Sequence, residues 1–160
     1  MAQVIHDAPA TGDWERLARL CQNLMCLPYA PVELGYWLAI ARRCQRQFEQ
    51  AETAIVAALR REPDCSYAWW IYGTIEQDRK RPDKAIAHYR RAIALEPDSA
   101  GRWRALSTAY EEAGHLEAAL SSLRWANALR AKASPAWNQR ISRLAEAIAR
   151  SNRQASPDGP

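Results

Sequence analysis

Side chains capable of catalysis are few in this chain and poorly arranged for it. Glu111 and Glu112 are adjacent carboxylates, and neighbours on a helix project about 100° apart. They therefore do not converge on one atom as a general acid–base pair must. His6, His88 and His115 are scattered; His88 stands beside Tyr89 in a helical stretch, and His115 follows Gly114 in a turn. Cys21, Cys26, Cys44 and Cys65 form no C-x-x-C pair and have no nearby histidines at metal-ligand spacing. No strained nucleophile turn and no glycine-rich phosphate loop is present. These observations predict no enzyme, no metal and no cofactor. Side chains suited to recognition are plentiful: seven Trp and six Tyr against a single Phe, so nearly every ring brings a polar handle to its apolar face.

Those rings are not placed at random. Trp69, Trp103 and Trp137 are 34 residues apart, and Pro63 and Pro97 repeat the same interval. So do Ala51, Ala85 and Ala119, and again Ala58, Ala92 and Ala126. A period of 34 with large and small residues at fixed seats is the signature of a helix-turn-helix array. Small residues let helix axes approach to roughly 8–10 Å, and large ones fill the spaces between those contacts. The helix stops agree. Pro63 and Pro97 close second helices, Pro82 suits a first turn, and Ser134-Pro135 reads as an N-cap followed by N1.

With Ser66 as position 1, the signature seats are Trp69 at 4, Tyr72 at 7, Gly73 at 8, Ala85 at 20, Tyr89 at 24, Ala92 at 27 and Pro97 at 32. The next unit supplies Trp103, Leu106, Ser107, Tyr110, Ala119, Leu123 and Ala126. On these residues the chain resembles the tetratricopeptide repeat (TPR) family, whose pattern is W-x2-L-G-x2-Y, then A-x3-F, an Ala and a Pro. The unit from Val32 fits more weakly, with Gly35 at position 4. Gly12-Asp13-Trp14 is similar to the start of a second helix. The resemblance implies an all-α, right-handed helix-turn-helix solenoid with a C-terminal capping helix. The boundaries it implies are a disordered N-terminus at 1–11 and a single domain over 12–150. That domain comprises a half repeat (12–31), full repeats at 32–65, 66–99 and 100–133, and a cap helix at 134–150. A disordered tail follows at 151–160. Ile141 stands where position 8 wants a small residue, as suits a helix with no partner to follow.

The TPR resemblance also implies a binding groove lined by positions 2, 5, 9 and 12 of each first helix. In the first full repeat those are Glu33, Tyr36, Ile40 and Arg43. In the second they are Tyr67, Trp70, Thr74 and Gln77, and in the third Gly101, Arg104, Thr108 and Glu111. Position 6 (Trp37, Ile71) would edge it. Trp69 belongs to the repeat signature and is expected to pack. Trp70 has no such duty and is expected to face a partner. Tyr36, Trp70 and Arg104 share position 5 and are expected to form one row. Trp, Tyr and Arg dominate binding energies, so the expected partner is an extended or helical protein segment with apolar side chains. The family's clamp for chaperone-tail carboxylates is absent: its seats hold Tyr36, Ile40, Ile71, Gly101 and Ala105.

Charge and composition bound the alternatives. The formal charge is +4, with 25% charged and 48% hydrophobic residues over 160 residues, ordinary for a soluble domain. Charges nearly cancel up to Leu123. Beyond it stand Arg124, Arg130, Lys132, Arg140, Arg143, Arg150 and Arg153 against Glu146 and Asp158, a solvated end face or a surface for an anionic partner. Nucleic-acid binding is disfavoured because Trp125 and Trp137 fall at seats expected to be packed. Met1 to Thr11 lacks the apolar core of a secretory signal, and no stretch is long and apolar enough to span a membrane. A cytoplasmic adaptor or scaffold with reduced thiols is the reading that results. Size and repeat number are also similar to the small TPR chaperones of type III secretion, which hold an apolar translocator, although those tend to be acidic. Self-association through an exposed apolar edge stays open.

Overall fold

The computed structural model describes residues 12–130 and 135–155, and among these every regular element is a helix. The helices are α1 (Trp14–Met25), α2 (Glu33–Cys44), α3 (Phe48–Arg61), α4 (Ser66–Asp78), α5 (Pro82–Leu95), α6 (Ala100–Glu112), α7 (Leu116–Ala128) and α8 (Pro135–Ala155). The chain divides into two compact units, Met1–Lys80 and Arg81–Pro160. The division falls inside the repeat expected at 66–99, leaving α4 in the first unit and α5 in the second.

The 34-residue register is written into the backbone itself. Gly12, Arg46, Lys80 and Gly114 carry positive φ values of 70°, 60°, 60° and 82°. Each stands one residue before the N-cap of a second helix. At Arg46, Lys80 and Gly114 this left-handed residue ends one helix and re-aims the chain for the next. Gly12 stands before α1 at the same place in that series. Among the four N-caps only Asp13 caps with its side chain, accepting from the Arg16 N–H at 3.1 Å. Gln47, Arg81 and His115 make no such bond.

In the first unit α1 packs on α2, α2 pairs with α3, and α4 packs on α3 and touches α2. Its core is built from Leu17, Cys21, Leu34, Ala39, Ile55, Ile71 and Ile75, all buried. In the second unit α5 packs on α6, α6 pairs with α7, and α8 covers α7. Ala119, Leu123 and Leu144 form a core there, with Trp137 and Ile141 packed on it. The small seats are occupied as the pattern demands: Ala39, Ala51, Ala85, Ala92, Ser107, Ala119 and Ala126 are all fully buried. At position 4 of the first full repeat a tryptophan is excluded, because even a Cβ on Gly35 would lie 2.9 Å from the Ala58 Cβ.

Two expectations about the C-terminal region are corrected. The last helix does not end at 150 but runs to Ala155; Ser151, Asn152, Arg153 and Gln154 contain no helix breaker, and the first proline after them is Pro157. Trp125 is not packed away but 59% exposed. The disorder expected at 1–11 and 156–160, and the Ser134 cap, lie outside the described residues.

Candidate functional site

The first helices α2 and α4 bring together most of the residues singled out from the sequence. Both are rich in apolar residues on more than one side, so each has a core stripe and a second stripe left for something else. Tyr36, Tyr67 and Trp70 occupy that second stripe as a contiguous series of rings. Tyr36 meets Tyr67 edge-on with ring centres 6.2 Å apart. Tyr67 stacks on Trp70 at 5.6 Å and 25°. Such pairs add roughly 0.5–1.5 kcal/mol beyond the area they bury.

The three rings are not equally available. Tyr36, expected to meet a partner, is only 5% exposed, a correction with a clear cause. The Tyr67 edge covers it, and its hydroxyl donates to Glu62 Oε2 at 2.9 Å, just past the end of α3. Burial first, then the bonds to Cys65 and Glu62, drive the Tyr36 phenol far above its ordinary pKa. Tyr36 is thus a fixed backstop. Tyr67 is 37% exposed, and Trp70 is half-buried. Burial raises the Tyr67 phenol pKa, and the nearby Arg43 cation offsets part of that rise. Arg43 is held by Asp78 at 3.4 Å, while Ile40 and Gln77 are half-buried on the same helices. The Thr74 hydroxyl donates to the Trp70 and Ile71 carbonyls at 3.0 and 2.8 Å, so it supports the helix under Trp70. Ile71 is core at 1% exposure.

In the second unit Arg104 is exposed on α6. Thr108 is not open. Arg140 of α8 donates to its hydroxyl at 3.1 Å and pairs with Glu111 at 2.7 Å. The cap helix therefore occupies the polar end of α6 that the sequence pattern assigned to a partner. A partly buried ionic cluster in the first unit has little sequence signal: Arg79 engages the exposed Glu49, the half-buried Glu52 and the buried Glu76, and Tyr72 donates to Glu52 at 2.9 Å. Its only sequence signal was a buried-face glutamate, Glu76, on a strongly apolar helix. Among the described residues no cluster of His, Cys, Asp and Glu has the arrangement to hold a metal ion, and no helix is long and apolar enough to cross a membrane.

Paired antiparallel helices with small residues at fixed seats and recurring left-handed turns define the helical-repeat class of binding proteins. The family model for the tetratricopeptide repeat matches residues 36–100, so that stretch of the chain carries TPR repeats. Solved structures share the fold. The fragment "MamA 41-end" from Desulfovibrio magneticus RS-1 is similar at TM-score 0.76 and 18% identity, over 99% of this chain and 95% of that one. The Sgt2 TPR domain from Aspergillus fumigatus gives TM-score 0.70 and 16% identity, covering 83% and 89%. The first TPR of Spaghetti (RPAP3), solved with the HSP90 peptide SRMEEVD, gives 0.68 and 13% over 74% and 93%. No curated protein matches the chain.

Proposed function

We propose that this chain is a protein-interaction adaptor that holds an apolar segment of a partner on the α2/α4 face, with Trp70 and Tyr67 as the contact rings. The observation that supports this reading most is the stacked series Tyr36–Tyr67–Trp70. A buried ring fixes two accessible ones, so little side-chain freedom remains to be lost on binding. Arg43 beside Tyr67, with Gln77, would set the polar rim, Ile40 would add an apolar contact, and Arg104 on α6 is an exposed cation of the second unit. The peptide SRMEEVD is bound by the Spaghetti TPR. The same acidic-tail mode is not proposed here, because Tyr36, Ile40, Ile71, Gly101 and Ala105 supply none of the clamp's Lys, Arg or Asn groups.

The test compares partner binding by the intact chain and by Trp70→Ala, Tyr67→Ala and Arg104→Ala, with circular dichroism to verify folding. Trp70→Ala is expected to weaken binding by about 2 kcal/mol, a factor of roughly 30. Unchanged affinity in both ring variants would sink the α2/α4 assignment.

A further inference from the structure

A second recognition surface lies on the other helices of the second unit. Between α5 and α7, over α6, runs an open cleft of about 470 Å³ lined by Arg90, Ile93, Trp103, Leu106, Tyr110 and Trp125. Trp125 stacks on Trp103 with ring centres 6.0 Å apart, at 24°, yet remains 59% exposed. Beyond Trp125 a second hollow of about 350 Å³ is lined by Ser121, Arg124 and Ala128. An indole standing between two hollows contributes to no core, and so large an exposed ring is the kind of feature that marks an interface.

The molecule contains its own control. Two repeat periods earlier, the same seats form a cleft of about 390 Å³ in the first unit. There Gln22 stands for Arg90, Gly35 for Trp103, Arg42 for Tyr110 and Ala57 for Trp125. Its Arg42 is engaged from within, being 8% exposed and donating to Glu15, Gln22, Gln45 and Gln47. One backbone scaffold thus carries, in one unit, a cleft whose Arg42 is tied to the chain's own side chains and, in the other, an aromatic one. Repeat architecture alone therefore does not demand the Trp pair.

Charge decides the occupant. No carboxylate lines either hollow. Arg90 and Arg124 are exposed, and no carboxylate among the described residues is seen paired with either. A guanidinium accepts a carboxylate in a two-bond fork, and the floor of Ile93 and Leu106 accepts an apolar side chain. A single nucleic-acid strand would want successive open rings and a longer cationic track. Here the two indoles cover one another and two arginines flank them. We infer that the α5/α7 cleft binds an acidic segment of a partner protein that carries a large apolar side chain between its carboxylates. This makes the chain a two-faced adaptor, and the inference stands independently of the α2/α4 face.

The experiment uses the full chain bearing Trp70→Ala, so that the α2/α4 face is disabled. A displayed random dodecapeptide library is selected on it, and the selected peptides are measured in solution by fluorescence anisotropy. The expected result is net-acidic peptides with Leu, Met, Phe or Trp. Their affinity should fall at least tenfold on adding Trp125→Ala, and again with Arg90→Glu/Arg124→Glu, while circular dichroism stays unchanged. Peptides without acidic bias, or peptides bound equally by the Trp125→Ala chain, overturn the proposal. Salt-dependent binding of a dT dodecamer that Trp125→Ala abolishes, with no acidic peptide selected, overturns it in favour of nucleic acid.

Discussion

The indole N–H of Trp69 donates to the carbonyl oxygen of Pro63 at 2.7 Å, and that of Trp103 to Pro97 at 2.8 Å. The two most regular series in the sequence are therefore one device. Each tryptophan clips the start of a first helix to the residue that ends the preceding second helix. The ring packs while its N–H satisfies a carbonyl left free beyond a helix end. Trp69→Phe keeps most of the ring and loses the donor. It should destabilise the chain by about 0.5–1 kcal/mol in urea unfolding, near the net worth of one hydrogen bond. A phenylalanine variant as stable as the parent would show that packing alone places the ring.

Two glycine exchanges should move stability in opposite directions. Gly35→Ala drives a Cβ to 2.9 Å from that of Ala58. Overpacking of this kind costs about 1–3 kcal/mol, against about 1 kcal/mol regained in helix propensity, so a net loss is expected. Lys80→Gly relieves a left-handed backbone at φ 60° and should stabilise by about 0.5–1 kcal/mol. Thermal unfolding of both variants beside the parent reads the two signs.

Arg79 joins the end of α4 to α3. Arg79→Met leaves Glu76, 1% exposed, without its guanidinium, and should cost about 3 kcal/mol. Arg79→Met/Glu76→Leu should recover much of that loss, since a buried ion pair replaced by apolar groups is often neutral. Chemical denaturation of the single and double variants separates the cost of breaking the pair from the worth of having it. A single variant as stable as the parent would mean the cluster is solvated in solution.

Alkali should unfold the first unit through its phenols and its buried thiol. Burial, then the bond to Glu52, raise the Tyr72 pKa from 10.0 to about 12. Burial raises Cys21 from 9.0 to about 11. In both cases the folded state holds the proton more tightly than the unfolded state. The associated stability is complete below the unfolded pKa and is lost as pH rises to the folded one. Unfolding free energy should therefore decline from about pH 9 to pH 12, and Tyr72→Phe should make the decline shallower. A flat profile in that window would show that these groups are solvated.

The repeat was legible because its seats are set by residue size, which a sequence displays directly. Ala51, Ala85 and Ala119 announce close approach whatever surrounds them. The separate placing of Trp70 was legible because one residue from a rung a helix turns a side chain toward a different face, where Trp70 stacks on Tyr67. What escaped were the cross-helix partners. Nothing at Tyr36 foretells that Glu62 and Tyr67 close over it, and nothing at Thr108 foretells Arg140. The exposure of Trp125 was missed because a large ring beside arginines reads as packing until its neighbours are known. The left-handed turns at Arg46 and Lys80 were hidden by residue type, since only Gly12 and Gly114 advertise that conformation.

The Trp–Pro clip also bears on how quickly the chain acquires its structure. Each clip closes a ring of only a few residues, and each helix pair is joined by a turn of a few more. Contacts so near in sequence lose little chain entropy on forming, and chains dominated by them belong to the microsecond-to-millisecond class of folders. Trp69 and Trp103 sit in different units, each with a ring partner of its own in Tyr72 and Trp125. Stopped-flow fluorescence of two variants, one keeping only Trp14, Trp37, Trp69 and Trp70 and the other only Trp103, Trp125 and Trp137, would time each half of the chain separately.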